Sequence, residues 1–194
     1  AETVEWQMDV QYFGRETRPI YKLLQYATDP LIPGITGREE ACISFLVDLG
    51  IPLKDGDRWR RWIDLTKEEK RKILSAITKM LLQKGFGNAL AKRLIGEVYI
   101  LTQEDQGTEL HDAKEFATLL NSTARYGKPE VGLRVCMQDR EEALKEARSL
   151  LKSHRHNLIE GIQFAKDEGI IRGKYLQYFH AGEGIRDTIV GIIT

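Results

Sequence analysis

The chain has 194 residues and a formal net charge of zero, because 29 lysines and arginines balance 29 aspartates and glutamates. This length suits one domain or two small ones, and neutrality excludes a surface that is basic throughout, so any site for a polyanion must be a local patch. Cys42 and Cys136 lie far apart with no CxxC spacing, which argues against a disulfide or a zinc site. No apolar run reaches the roughly 18 residues that cross a bilayer. We therefore expect a cytoplasmic protein without a membrane partner.

The first fifty residues predict two helices joined by a loop. A short helix is expected around residues 18–27, and a loop rich in proline and glycine follows it. Thr36 and Glu39 have the spacing of a capping box, in which each side chain bonds to the other residue's backbone N–H. They predict a helix that ends at Gly50, a residue type that favours the left-handed conformation found after helices.

The next segment predicts more helix. A second capping box, Thr66 and Glu69, opens an apolar run at helical spacing that ends near Gly85. A further helix is expected from Gly87 to about Leu101. Residues 36–101 thus predict a compact, all-α unit.

The rest of the chain predicts helices and then a small α/β part. A helix from about Leu110 ends in the sequence NSTAR, residues 121–125, which we name the NSTAR segment. The run VGLRVCM after it is compatible with a strand or a helix. Asp139 and Glu142 are expected to cap the longest helix, which ends at Gly169.

The last residues alternate as a strand would in KYLQYFHAG, and an amphipathic segment, GIRDTIVGIIT, predicts a helix start. That segment has no stop signal after it, so we expect the sequence to be a piece of a longer protein. The fold class predicted for the whole chain is mainly α with a smaller α/β part.

Residues suited to metal or nucleophilic catalysis form no recognisable group. His154 and His156 are two positions apart on a predicted helix, so they point to different faces and are expected to be solvated or to face a partner. His111 and His180 are isolated. The sequence has no HExxH, GxSxG or phosphate-binding loop. We therefore expect no catalytic residue, metal ligand or cofactor in this chain, and no activity from it alone.

Two tryptophans, Trp59 and Trp62, lie among three arginines. This pattern allows three interpretations: a stacking platform for nucleic-acid bases, anchors of a protein interface, or core packing. The sequence alone leaves all three open.

The NSTAR segment, followed by an apolar run and a long helix bearing ALKEARSLLKSHRHNLIEGI, resembles the bridging region of the RecJ group of DHH-family phosphodiesterases. The corresponding motif of that family is Asn-Ala-Ala-Gly-Arg. This chain differs from it in having Ala124 where the family has glycine before the arginine. The segments YFGRETRPIYKLLQYATDPLIPGITGREEA and DAKEFATLLN are similar to the archaeal branch, a single-strand-specific exonuclease that associates with the GINS replication complex.

The resemblance implies a domain layout. Residues 1–35 would end the DHH catalytic domain, 36–105 would form a helical insertion, 106–170 would be bridging helices, and 171–194 would begin an incomplete, DHH-associated C-terminal α/β domain. The catalytic motifs that hold divalent ions, manganese or magnesium, are absent from this sequence. The chain would then be the non-catalytic middle region of a nuclease of DNA replication and repair.

The resemblance also implies binding roles. Asn121, Ser122 and Arg125 would bind the phosphate of single-stranded DNA or RNA; alternatively, Arg125 pairs with a carboxylate such as Glu115 and holds the bridge together.

The helical insertion would dock a GINS subunit, and its exposed-looking anchors are Trp59, Trp62 and Phe86. A protein-interaction module with no nucleic-acid role is the alternative for the chain as a whole. A stand-alone helical DNA-binding module is a third and weaker hypothesis.

Overall fold

The structure is a computed structural model, and it describes residues 3–83, 90 and 92–193. The chain divides into two compact units, residues 1–116 and residues 117–194. Most of the secondary structure in the described residues is helical. The strands of the described residues form three two-stranded sheets. The predicted fold class, mainly α with a smaller α/β part, is confirmed. The four-part domain layout stays a prediction.

An antiparallel ribbon holds together the two ends of the N-terminal unit. Strand β1, Val4–Val10, pairs with strand β4, Ile95–Leu101, so that Trp6 lies opposite Tyr99. The prediction of a helix reaching Leu101 is therefore wrong. The prediction that residues 36–101 form an all-α unit is also wrong, because this range contains strands. Ile, Val and Tyr fit a pleated strand, and pairing with the distant β1 supplies the hydrogen bonds. The expected helix start at Gly87 and the stop at Gly85 lie outside the described residues.

Between these strands the described residues form helices and a small hairpin. They are α1 (Ile20–Gln25), α2 (Glu39–Asp48), β2 (Lys54–Asp55) paired with β3 (Arg58–Trp59), a 3-10 turn (Trp62–Asp64) and α3 (Lys67–Gln83). Their apolar faces meet in one core, to which Leu23, Leu46, Trp62, Ile73 and Ile77 contribute fully buried side chains.

The two capping-box predictions have different outcomes. At α3, Thr66 N donates to Glu69 Oε2 at 2.8 Å and Glu69 N donates to Thr66 Oγ1 at 3.2 Å, which confirms the box. At α2 the prediction is wrong, since the helix begins after Arg38 without a side-chain cap. Thr36 Oγ1 instead accepts the N–H of Ile32, at 2.8 Å, in the preceding turn. A threonine hydroxyl in a loop accepts the nearest free N–H. Here that donor is Ile32, four residues before Thr36, and not Glu39, three residues after it.

A buried ionic network joins segments of the N-terminal unit that are distant in sequence. Arg15, which is almost fully buried, donates to Asp9 and Asp112. Glu16 accepts the N–H of Gly107 at 2.7 Å and contacts His111. These bonds fasten the loop after β1 to the start of the helix that follows β4.

The C-terminal unit is built on a long helix. The chain continues through α4 (Ala113–Arg125, which crosses the boundary between the units), α5 (Pro129–Cys136), α6 (Glu142–Glu168), β5 (Ile171–Arg172), β6 (Gln177–Tyr178) and α7 (Asp187–Ile193).

Three predictions for this unit can be checked. The ambiguous run VGLRVCM falls in helix α5, whereas KYLQYFHAG contributes only a two-residue strand. The predicted cap of Asp139 and Glu142 is only partly right, because α6 begins at Glu142 with Glu141 at the N-cap position and no side-chain cap there. Asp139 Oδ1 nevertheless accepts the N–H of Ala143 at 3.2 Å. Within the described part of the chain, no helix combines the length and apolar character that crossing a membrane requires.

Candidate anion-binding site

The NSTAR segment is the last turn of α4. Ser122 and Thr123 are buried, and their hydroxyls donate to the carbonyls of Leu119 and Leu120 at 2.7 Å. Each hydroxyl hydrogen is therefore used within the helix, and Ser122 does not present it to a ligand as expected from the resemblance. Asn121 is exposed one helical turn before Arg125.

Gly127 explains why the helix ends there. Its φ of +70° lies in the left-handed region that favours glycine, and the N–H of Lys128 donates to the carbonyl of Thr123 at 2.9 Å. Pro129 then begins α5 in the first turn, where a backbone N–H has no partner within the helix. This sharp turn leaves the guanidinium of Arg125 at the surface.

Arg125 has no acidic partner among the described residues. Its Nη1 donates to the backbone carbonyl of Thr188, just inside α7. The alternative partner considered from the sequence, Glu115, accepts the backbone N–H of Glu16 at 2.9 Å and the hydroxyl of Thr17 within the N-terminal unit. Burial raises the pKa of Glu115, and the hydrogen bonds from those two donors partly offset this rise. Its described partners therefore give no support to the pairing with Arg125.

A second guanidinium, that of Arg186, lies close by. Its carbon atom is 5.2 Å from the centre of the Tyr126 ring, the geometry of a cation–π contact. No carboxylate among residues 3–83, 90 and 92–193 forms an ion pair with Arg186. The Tyr126 hydroxyl accepts a hydrogen bond from Asn157 Nδ2 at 2.6 Å, which fixes the ring beside α6.

His154 completes this group. It is 8% exposed, its Nδ1 has no hydrogen-bond partner in the described structure, and its ring stands edge-on to Tyr126 with the centres 6.0 Å apart. Burial lowers its pKa, and the positive charges of Arg125 and Arg155 lower it further. His154 is therefore neutral at neutral pH.

We call Arg125, Tyr126, His154, Asn157 and Arg186 the arginine cluster. Two exposed guanidiniums without acidic partners form a positive patch, which suits an anion with several oxygen atoms such as a phosphate. An anion there would also favour protonation of His154, since it would offset the charge of Arg125.

Of these residues, the sequence predicts a phosphate-binding role only for Arg125. His154 was expected to be solvated or partner-facing, and the structure buries it; His156, on another face, is exposed and lies 3.1 Å from Glu160. The isolated sequence gave no signal for Arg186, because its position depends on how α7 returns to the end of α4. Tyr126 adjoins the NSTAR segment, and its aromatic ring was the available clue.

The expected partner anchors of the N-terminal unit lie in unlike places. Trp59 is 36% exposed, with Tyr21 4.9 Å from its ring centre and Lys54 Nζ 4.6 Å away. Trp62 is fully buried, and its Nε1 donates to Asp9 Oδ1 at 2.8 Å. Core packing therefore describes Trp62, and the expectation that it is exposed is wrong. Phe86 lies outside the described residues.

The arginines around these tryptophans are mostly paired with acids. Arg60 donates to both carboxylate oxygens of Glu69, at 2.8 and 2.7 Å, and Arg58 and Arg61 both contact Asp64. Because their charge is largely neutralised, this cluster is a poor platform for nucleic acid.

The sequence of the N-terminal unit matches a known family model. Residues 12–95 match the family model of the DHH-CID domain. The DHH-CID match lies within the N-terminal unit, and it supports a relationship between this chain and the DHH superfamily.

A similar protein has been found in an archaeon. The chain is 28% identical over 174 residues to the uncharacterized protein MJ0831 of Methanocaldococcus jannaschii. The alignment covers 90% of this chain and 35% of that protein, so the chain spans about a third of the length of the relative.

The resemblance implies divalent ions for the parent protein. The described residues contain no group of three or more His, Cys, Asp or Glu side chains placed to hold a metal ion. The residues of this chain that the structure describes do not fit such an ion, and no chemical step is assigned to them.

Proposed function

We propose that this chain is the non-catalytic middle region of a metal-dependent, RecJ-like single-strand-specific exonuclease of DNA replication and repair. Its C-terminal unit would bind substrate phosphate through Arg125, with Arg186 beside it. The observation that carries the proposal is that both guanidiniums are exposed and lack acidic partners among the described residues. The DHH-CID match supports the superfamily.

The chemistry of the cluster suits a phosphate. Arginine is always charged, and its planar donors match two oxygens of a phosphate at once. Asn121, one turn before Arg125 and exposed, can add an amide donor on the same side of the helix. Ser122 has no part in this proposal because its hydroxyl is buried and bonded.

The test compares Arg125→Ala with Arg134→Ala in the full-length protein. Arg134 is an exposed arginine of the same unit that pairs with Asp139, so its loss removes the same charge from a neutralised position. Binding of a fluorescent single-stranded oligonucleotide is measured by anisotropy in a chelator, over a range of salt concentrations.

We expect Arg125→Ala to weaken binding by roughly 10- to 100-fold, the loss of one or two charge-assisted hydrogen bonds. The slope of log affinity against log salt should fall by about 0.7 for each lost contact with a single strand. Arg134→Ala should change neither. Equal affinities of both variants and the unaltered protein would refute phosphate binding by Arg125.

A second function, docking of a GINS subunit by the N-terminal unit, is favoured by Trp59. Its ring is partly exposed and held on a hairpin between Tyr21 and Lys54, which suits a rigid aromatic anchor. This function is compatible with the first, and it would stand alone if the chain were purely a protein-interaction module.

Trp59→Ala should weaken GINS binding in calorimetric titration by tenfold or more, as roughly expected for an aromatic hot spot. Leu31→Ala is the control, since Leu31 is an exposed apolar residue of the same unit that lies outside the hairpin. Unchanged GINS affinity of the Trp59 variant would remove this residue from the interface.

A further inference from the structure

Helix α3 carries two neighbouring apolar stripes, of which one is buried in the core and the other is only partly covered by it. Ile73, Ile77 and Leu81 are fully buried. Leu74 and Leu82, two turns apart, form the second stripe. Leu74 is half-buried and touches the core, and Leu82 is 46% exposed. A surface helix needs one apolar stripe to pack on its core, so the second is available for another contact.

The second stripe forms one wall of a groove of about 900 Å³, and the ribbon forms the other wall. Met8 of β1 and Ile95 of β4 line the ribbon side and are 60% and 39% exposed. The apolar surface continues along the ribbon, because Trp6 lies on the same face as Met8 and opposite Tyr99. Both aromatic side chains are exposed. Contiguous apolar surface of this kind marks sites of association.

The groove is rimmed by positive charge. Lys67, Arg71 and Lys79 line it from α3, are exposed, and have no acidic partner among the described residues. A fourth cation, Lys70, lies 3.6 Å from Asp9.

Asp9 is the acidic residue of the groove lining, and it is buried and bonded to Arg15 and Trp62. Glu97, which shares the ribbon face but does not line the groove, accepts a hydrogen bond from the Tyr99 hydroxyl. The charges that face the groove are therefore predominantly positive.

We propose that this groove binds an acidic amphipathic helix of a partner protein. An apolar stripe on that helix would pack on Met8, Leu74, Leu82 and Ile95, and its carboxylates would face Lys67, Arg71 and Lys79. Charge complementarity of this sort selects partners and speeds their encounter. Methionine and leucine side chains adapt to varied apolar ligands.

The groove suits a helix better than the other extended ligands. Most of its lining comes from helix α3, whose backbone groups bond within the helix, whereas an added strand needs the free backbone groups of a sheet edge. A single nucleic-acid strand uses aromatic side chains for stacking, and the floor of the groove is aliphatic. The proposal does not depend on Arg125 or Trp59, which lie elsewhere.

The test uses the full-length protein and a fluorescein-labelled synthetic peptide of about 20 residues, long enough to form a helix. Its leucines recur at i, i+3, i+4 and i+7, and its other positions are mainly glutamate. A scrambled peptide of the same composition, which has no apolar face, is the ligand control. An oligothymidylate of similar length is tested in parallel.

Two variants of α3 form a matched pair. Arg71 lines the groove, whereas its neighbour Lys72 is exposed and does not. We expect Arg71→Glu and Leu82→Asp each to weaken binding of the amphipathic peptide by roughly tenfold, or about 1.4 kcal/mol, and Lys72→Glu to leave it within twofold. Circular dichroism of each variant confirms that it is folded.

Saturable binding of the amphipathic peptide, weaker binding of the scrambled one, and this variant pattern would support the proposal. Equal effects of Arg71→Glu and Lys72→Glu would show unspecific attraction by charge and overturn it. Binding of the oligothymidylate alone, sensitive to Arg71→Glu, would assign the surface to nucleic acid and also overturn it. Failure of the folded protein to bind the peptide would do the same, without bearing on phosphate binding at Arg125.

Discussion

Arg15 and Asp112 form a buried ion pair across 97 positions of sequence, with Arg15 Nε 3.0 Å from Asp112 Oδ2. Both side chains are almost inaccessible to water, and Arg15 also lies 3.1 Å from Asp9. The pair connects the loop after β1 to Asp112, the residue immediately before α4. Since Asp112 Oδ1 also accepts the N–H of Lys114 at 2.8 Å, the same carboxylate caps the start of that helix.

Removal of the cation should strongly destabilise the N-terminal unit. Arg15→Met leaves Asp112 buried without a cation and Asp9 with only the more distant Lys70. Breaking a buried pair in this way costs about 3–5 kcal/mol. The three tryptophans, Trp6, Trp59 and Trp62, all belong to this unit, so urea denaturation followed by tryptophan fluorescence reports on it alone.

Arg58→Met is the control for that experiment. Arg58 is exposed and contacts Asp64 at 3.3 Å, and a surface pair of this kind contributes about 0–1 kcal/mol. If both variants unfolded at the same urea concentration, the Arg15 network would have no particular importance for stability.

Acid should weaken the N-terminal unit through Glu69. The bidentate bond from Arg60 lowers the pKa of Glu69 from its ordinary 4.5 to about 2, burial opposes this, and the N–H of Thr66 assists it. Because the folded-state pKa is the lower one, the stabilisation is present above pH 4.5 and is lost as the pH falls toward 2.

We expect Glu69→Gln to be less stable than the unaltered protein at pH 7 and to lose less stability on acidification to about pH 3. Thermal unfolding followed by tryptophan fluorescence at both pH values measures this difference. Glu68→Gln, in the same exposed turn, is the control and should follow the unaltered protein. Parallel acid profiles of the Glu69 variant and the unaltered protein would contradict the prediction.

How far the sequence predicted the structure depended on the range of the interactions. The box at Thr66 and Glu69 involves neighbours three residues apart, and its prediction was correct. Strand β4 was missed because its partner β1 lies about ninety positions away. Trp62 is bonded to Asp9, which is also distant, 53 positions away in the sequence.

The candidate site follows the same rule. Arg125 was found through a local motif, whereas Arg186 reaches Tyr126 only because α7 folds back onto the end of α4. His154 was misjudged, since the helical spacing separates its face from that of His156 without saying which face is covered. Single-sequence patterns give the face of a helix, and tertiary packing decides its neighbour.

His154 should make the C-terminal unit sensitive to mild acid. Burial and nearby arginines lower its pKa from 6.5, so the unfolded chain binds a proton more readily than the folded one. Stability should therefore fall as the pH drops below 6.5. His154→Phe removes both this proton and the unpartnered Nδ1, and it should unfold at nearly the same temperature at pH 7.5 and about pH 5.5 by scanning calorimetry.

The control is His156→Phe, at an exposed position two residues along the same helix. It should keep the loss of stability that the unaltered protein shows on acidification. An equal loss in the His154 variant would mean that another group causes the acid sensitivity.

Two helical glycines of the C-terminal unit should respond in opposite ways to the same added methyl group. At Gly132 in α5, a Cβ atom would lie 2.5 Å from Thr123 Oγ1 of the NSTAR segment, which donates to Leu120. Gly191 in α7 has no atom within 4 Å of the Cβ that alanine would add there, and its φ is one that alanine tolerates.

Gly132→Ala should destabilise the unit by about 1–3 kcal/mol through overpacking. Gly191→Ala should stabilise it by about 0.5–1 kcal/mol, because alanine loses less backbone entropy in a helix. Calorimetric melting temperatures measure both effects, and shifts of the same sign would show that α5 does not pack on the NSTAR segment as closely as the structure has it.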